Sequence, residues 1–148
     1  MEAHRDSSGL TLTQSKYAID LLKRSNMAAA IPSKSPVISG TKLSAHDGDP
    51  ISDVSSYRSI VGALQYLKMM RPDLAYAVNQ VCQFMHQPRT SHLAAVKRIL
   101  RYIKSTVDFG LHITKSADHS LIAYSDADWA GCPDDRRSTV IAYSMVKI

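Results

Sequence analysis

Two aspartates, Asp126 and Asp128, are the residues of this sequence whose types and spacing best fit catalytic chemistry. They end an apolar run, residues 121–124, that is typical of a β-strand. Side chains two positions apart on a strand point to the same face of the sheet. Two carboxylates at a sheet edge can hold a divalent cation for phosphate chemistry. The alternative is an acidic turn that closes the strand, because aspartate and glycine are common turn residues.

The sequence around these aspartates, YSDADWAG followed by DDRRST, resembles the start of the ribonuclease H domain in copia-type LTR-retrotransposon Pol polyproteins. Three upstream runs are similar to the segment that follows the polymerase active site in the same family. They cover residues 12–22, 57–88 and 92–111, in the order that the family shows. The resemblance therefore extends over most of the chain.

The resemblance implies that Asp126 is the first of four metal-binding acids, with Asp128 as a weaker candidate ligand beside it. We expect the other three acids to follow residue 148 and the polymerase centre to precede residue 1. Two-metal hydrolysis requires both ions to be clamped about the scissile phosphate, which one acid cannot do. The chain is therefore predicted to be a catalytically inactive fragment that requires no cofactor. It would use magnesium only if a partner completed the site.

Composition sets the class of protein. The 148 residues are 45% hydrophobic, which fits a globular domain and excludes a disordered chain. Eighteen Lys and Arg residues against 13 Asp and Glu residues give a net charge of +5, a mild bias toward anionic partners. Cys82 and Cys132 are the only cysteines, so we expect free thiols and no disulfide framework.

No targeting or membrane segment is apparent. The polar start, MEAHRDSSG, lacks the apolar region of a signal peptide, and no run approaches the roughly 20 apolar residues that span a bilayer. The sequence therefore predicts no membrane partner and a location in the cytoplasm or nucleus of the cell that makes the chain.

The positions of proline, glycine and serine residues, together with the periodicity of apolar residues, predict an α+β fold in four parts. Residues 1–27 form a β-hairpin and a first helix, and residues 28–55 form a Pro/Ser-rich linker. Apolar spacing then predicts a helical bundle over 56–106, which resembles a reverse-transcriptase thumb. Residues 107–148 read as truncated ribonuclease H-like strands, whose open edge predicts self-association. The six histidines are scattered and read as surface residues.

The helix predicted over residues 91–104 carries a basic stripe, Lys97, Arg98, Arg101 and Lys104, beside its apolar face. Such a stripe can follow the phosphate backbone of an RNA–DNA or DNA duplex without reading its sequence. The alternative is a solvated helix surface. The resemblance favours nucleic acid, because this helix is similar to part of the bundle that flanks the template–primer duplex.

The same helix contains a second short match. Arg98, Ile99, Leu100 and Arg101 spell RILR, which resembles the RxLR host-entry motif of secreted plant-pathogen effectors. In that class the motif follows a signal peptide near the N-terminus, whereas here it lies inside a helix, and Ile99 and Leu100 fit a core face. The alternative function is an effector that enters the host cytoplasm or nucleus. There it would act on a host protein to suppress defence or cell death.

Overall fold

The α+β class predicted from the sequence is confirmed. The computed structural model describes residues 1–114, residue 134 and the backbones of two further strands. The described helices are α1, Ser15–Arg24; α2, Val54–Leu67; α3, Ala75–Cys82; and α4, Thr90–Ser105. The described strands are β1, Glu2–Arg5; β2, Gly9–Thr13; β3, Gly110–Thr114; β4, Leu121–Asp128; and β5, Thr139–Val146.

The N-terminal hairpin forms as predicted. Strands β1 and β2 pair antiparallel, from Glu2 opposite Thr13 to Arg5 opposite Leu10. Asp6 closes the turn, because its carboxylate accepts hydrogen bonds from the backbone of Ser8 at 2.8 Å and of Gly9 at 3.1 Å. A short polar side chain that binds the backbone two or three residues further on is a common way to fix a tight turn.

Strand β3 joins this hairpin. The sequence grouped it with the strands that follow it, but it pairs antiparallel with β2, and the sheet order is β1-β2-β3. Thr13 lies opposite Gly110, so the end of α4 lies beside the start of α1. The connection between α4 and β3 is too short to carry the strand elsewhere, and the free edge of β2 is available at that point.

Local signals explain where the bundle helices begin. Asp53 caps α2 by accepting a hydrogen bond from the Ser56 backbone at 2.9 Å. Pro72 then starts a single 3₁₀ turn that leads into α3, as the missing N–H and fixed φ of proline favour. None of the described helices is long and apolar enough to span a bilayer.

The four helices enclose one apolar core. Each helix contributes a buried stripe, and fully buried members include Val61, Leu64, Val78, Val96 and Ile103. Tyr57 is also buried, and its hydroxyl donates to the Val81 carbonyl at 2.8 Å, which satisfies the one polar group that its ring brings into the core.

Residues 28–53, which we call the strap, contain no helix and only one isolated bridge, between Pro50 and Arg89. The linker predicted over residues 28–55 covers this segment. The strap nevertheless lies along α4 and is bound to it. Its contacts include Ser33 N–H to the Arg101 carbonyl at 3.2 Å and Thr90 N–H to the Asp49 carbonyl at 2.9 Å.

Candidate nucleic-acid interface

The two aspartates that suggested metal chemistry lie on β4. In the register of the β4–β5 pair, Asp126 is opposite Ile141 and Asp128 is opposite Thr139. The side chains of both aspartates, and Trp129 and Cys132, lie outside the described residues. Within the described part of the chain, no group of three His, Cys, Asp or Glu side chains is placed to hold a metal ion.

The basic stripe of α4 lies mostly under the strap. Lys97 is exposed, but Arg98, Arg101 and Lys104 are half-buried. Arg98 Nη2 donates to Ser35 Oγ, and Lys104 Nζ donates to the Ala30 carbonyl, both at 2.9 Å. These two cations already bind oxygen atoms of the strap, and Lys97 is the one exposed residue of the four.

A second basic surface lies on α1. Lys16, Lys23 and Arg24 are exposed, and their spacing of seven and eight residues places them on one face of the helix. We call these three residues the α1 basic face. The sequence predicted a first helix here but no basic face on it.

Aromatic rings adjoin the α1 basic face. The Arg24 guanidinium lies 5.7 Å from the centre of the Tyr17 ring, and that ring meets Tyr66 edge-on with centroids 4.9 Å apart. Tyr66 is 46% exposed. Cations beside an exposed aromatic ring are a combination that nucleic acid-binding surfaces use, since phosphate binds the charge and bases stack on the ring.

The RILR match lies in the middle of α4, at Arg98–Arg101. Ile99 and Leu100 are each 1% exposed and belong to the core, which is the role that their apolar spacing predicts. A receptor that reads four successive residues would therefore require this part of α4 to unfold.

A buried arginine organises the end of the bundle nearest β3. Arg71 is 3% exposed and forms a two-pronged ion pair with Asp73, with distances of 2.9 and 2.7 Å. Its Nη1 also donates to the Thr106 carbonyl at 2.8 Å, and Tyr102 donates its hydroxyl to Asp73 at 3.0 Å. Burial opposes ionisation of Asp73, but the bonds and charge of Arg71 outweigh it and hold the pKa of the carboxyl below its usual value.

His92 is a second buried polar residue with a structural role. It was predicted on the surface, but it is fully buried and stacks on Phe84 with ring centres 3.8 Å apart. The Arg89 N–H donates to Nδ1 at 3.0 Å, so the ring proton sits on Nε2 and donates to the Ser44 carbonyl at 2.9 Å. This neutral ring joins the strap to the first turn of α4.

Comparison with known proteins places this chain among mobile-element sequences. A retrovirus-related Pol polyprotein from transposon RE1 of Arabidopsis thaliana is 50% identical over 139 residues, which is 94% of this chain and 10% of the relative. An uncharacterised mitochondrial protein of the same plant is 45% identical over 135 residues, covering 89% of this chain and 55% of that protein. The chain thus spans about a tenth of the Pol polyproteins that it matches.

A third relative belongs to the class of effectors whose motif the RILR run resembles. A secreted RxLR effector protein of Plasmopara viticola is 50% identical over 84 residues, which is 56% of this chain and 59% of that protein. No protein-family model matches the sequence. No solved structure matches it either.

Proposed function

Because the chain belongs to the family of retrovirus-related Pol polyproteins from transposons, we propose that it is a reverse transcriptase/ribonuclease H fragment that binds nucleic acid without sequence preference. The observation that carries this proposal is the identity of 50% over 94% of the chain with such a polyprotein. The partner is an RNA–DNA or DNA duplex, and the contacts are made to its phosphates. We propose that residues 1–148 do not hydrolyse nucleic acid by themselves, because Asp126 is the one residue among them to which the resemblance assigns a ribonuclease H acid, and one acid cannot clamp two metal ions.

The exposed cations indicate where the duplex binds. On α1, three cations and one acid, Asp20, share the solvent side, and the exposed Tyr66 lies close to the Arg24–Tyr17 pair. On α4, two of the four predicted cations are bonded to the strap. A phosphate gains more from a cation that has no protein partner to give up, so the α1 basic face contributes more than the α4 stripe.

Two triple variants with the same loss of charge test this proposal. One replaces Lys16, Lys23 and Arg24 with Gln, and the other replaces Lys97, Arg101 and Lys104 with Gln. The affinity for duplexes of unrelated sequence is measured by fluorescence anisotropy between about 50 and 200 mM salt. Each lost phosphate contact lowers the log–log salt slope by about 0.9. The α1 variant should therefore lose two to three units and the α4 variant about one.

The matched charge makes every outcome informative. Equal reductions in the two variants would mean that net charge, and not the α1 basic face, governs binding. A parent protein with no salt-dependent affinity would contradict nucleic acid binding itself. Circular dichroism of both variants checks that the helices persist, which we expect because glutamine is a good helix former.

The effector function is the second candidate, and the relative from Plasmopara viticola favours it. Under this proposal the chain is secreted, enters the host cytoplasm or nucleus and suppresses defence through a host protein. Suppression of cell death in leaf tissue by the parent and equally by the α1 triple variant would favour this function. Loss of suppression in that variant would tie the effect to nucleic acid binding.

A further inference from the structure

The first part of the strap lies over the C-terminal half of α4. We call this part, residues 28–36, the cover. The Ser33 N–H donates to the Arg101 carbonyl at 3.2 Å, and the Ser105 hydroxyl donates to the Ser33 carbonyl at 2.9 Å. The cover is therefore bonded to the turns of α4 that carry the basic stripe.

The cover also takes up hydrogen bonds that a nucleic acid could accept. Arg98 Nη2 donates to Ser35 Oγ, and Lys104 Nζ donates to the Ala30 carbonyl, both at 2.9 Å. Phosphate oxygens accept the same bonds from arginine and lysine, and they bring a negative charge that a hydroxyl or a carbonyl lacks. A duplex and the cover therefore compete for these two cations.

Few contacts hold the cover closed. Every residue of the cover is half-buried or exposed, and Ile31 is 81% exposed, so little apolar surface is buried there. Segments with few buried apolar contacts open locally while the rest of the protein stays folded. The later part of the strap has its own bonds to α4, such as Thr90 N–H to the Asp49 carbonyl at 2.9 Å. The cover can therefore open while the rest of the strap remains in place.

The closed arrangement leaves two charged groups incompletely bonded. The Nε atoms of Arg98 and Arg101 are buried and have no hydrogen-bond partner among the residues that the structure describes. A buried donor without an acceptor is unfavourable, and more so when it belongs to a charged group. This cost falls when water or a phosphate reaches the two guanidinium groups, so it favours opening.

We infer that the cover is an autoinhibitory contact that hides a second duplex-binding site, formed by Arg98, Arg101 and Lys104. While the cover is closed, a duplex relies on the α1 basic face and on Lys97. Opening adds the three hidden cations, and a duplex bound to them holds the cover open, because it binds the open state more tightly than the closed state. This inference rests on the proposed nucleic acid function and adds regulation to it.

A double variant, Ser35→Ala with Ser105→Ala, opens the cover without a change of charge, and we call it the open variant. Ser35→Ala removes the acceptor of Arg98 Nη2, and Ser105→Ala removes a donor to the cover. Both losses raise the free energy of the closed state alone, because water replaces these partners when the cover is open. Ser55→Ala with Ser59→Ala, at two exposed serines of α2, is the matched control.

Two measurements on the full chain follow the cover and the duplex separately. Hydrogen exchange at the Ser33 amide, without any ligand, should be faster in the open variant than in the parent. Duplex affinity is then measured by fluorescence anisotropy between about 50 and 200 mM salt. Each added phosphate contact steepens the log–log salt slope by about 0.9, so the open variant should gain about two to three units. The control should match the parent in both measurements.

The three Gln substitutions of the α4 variant, added to the open variant, should abolish most of this gain. A gain that persists would place the extra contacts outside α4 and overturn the inference. Unchanged exchange at Ser33 would show that these bonds do not hold the cover. Faster exchange with an unchanged salt slope would show that the cover hides no duplex site. Each of these results overturns the inference alone, whereas a parent without salt-dependent affinity overturns the proposed function and this inference with it.

Discussion

Arg71 and His92 show how single polar residues can hold together segments that are distant in sequence. Arg71 joins the turn before α3 to Thr106, which follows α4, and His92 joins α4 to Ser44 of the strap. Both are buried with their hydrogen bonds made, as buried polar groups must be. Arg71 is the buried member of its ion pair with Asp73, so removing Asp73 would be destabilising because the guanidinium charge would stay desolvated without its partner.

The neutral ring of His92 predicts a pH dependence of stability. Burial holds its pKa below the usual 6.5, and the Arg89 charge acts in the same direction, while the bond to Ser44 and the charges of Asp47 and Asp134 oppose it. Below pH 6.5 the unfolded chain binds a proton that the native ring does not. Stability is therefore complete above pH 6.5 and falls as the pH is lowered, by at most about 1.4 kcal/mol per unit for this group.

Urea unfolding of the parent and of His92→Gln between pH 5 and 8 measures this effect. The variant should be less stable at every pH, because it loses the stack on Phe84, and its free energy of unfolding should depend less on pH below 6.5. His4→Gln, on the exposed strand β1, is the control and should follow the parent. Parallel curves for the parent and His92→Gln would contradict this account.

The strap is the element whose role is least evident from its composition. Backbone carbonyls of the strap bind both ends of α4: Ser91 donates to the Asp47 carbonyl, and Ser105 donates to the Ser33 carbonyl. These bonds turn a segment without regular structure into one layer of the fold. They also decide how much of the α4 basic stripe a nucleic acid can reach.

Glycine substitutions test how tightly the strap is held. Gly40 and Gly48 both have φ near +80°, so alanine at either position adds about 1 to 2 kcal/mol of backbone strain. A Cβ at Gly40 meets no atom within 4 Å, whereas at Gly48 it would clash with Thr90 Oγ1, which accepts the Asp49 N–H at 3.1 Å. Gly48→Ala should therefore destabilise more than Gly40→Ala, by about a further 1 kcal/mol.

Urea denaturation gives the two free energies, and hydrogen exchange at the amides of Thr90 and Ile51 reports the strap directly. The Thr90 amide donates to the Asp49 carbonyl and the Ile51 amide to the Pro88 carbonyl, so the two bonds join the strap to the start of α4 and to the residue two positions before it. Faster exchange there in Gly48→Ala than in Gly40→Ala is expected. If the two variants are equally stable and exchange alike, the strap is not held at this point.

At the scale of the molecule, the sheet connects the two ends of the helical bundle. Strands β1 and β2 precede the helices and β3 follows them, so pairing of β2 with β3 closes the bundle. The pair of β4 and β5 is a separate two-stranded sheet among the described strands, and it carries Asp126 and Asp128. The described residues hold no group of three side chains placed to bind a metal ion, and Asp126 alone cannot clamp two ions about a phosphate.

The purified chain should therefore leave the RNA strand of an RNA–DNA hybrid intact with Mg²⁺ or Mn²⁺ present. Gel analysis of a labelled hybrid after prolonged incubation measures this, with Asp126→Asn as the matched variant. Cleavage by the parent that disappears in Asp126→Asn would show that other groups complete the site. Cleavage that persists in the variant would indicate a contaminating nuclease.

The helices and the hairpin were predictable because the signals that set them act over a few residues. Apolar spacing and Pro72 defined the bundle, and the helix predicted over 91–104 is observed as Thr90–Ser105. The resemblance to the Pol family was also evident from the sequence, because it rests on runs of similar residues that can be compared without a structure. Helical spacing placed the four cations of the basic stripe on one helix. It did not indicate how much of each side chain is exposed to solvent.

Tertiary structure alone decided what those elements contact. The bond between Ser105 and the Ser33 carbonyl joins residues 72 apart in sequence, and the bond between Thr11 and His112 joins residues 101 apart. Such contacts depend on how whole helices and strands pack, and no local pattern specifies them. For this reason the sequence indicated the charges of Arg98 and Lys104, whereas the fold determined that the strap covers them and that the α1 basic face is exposed.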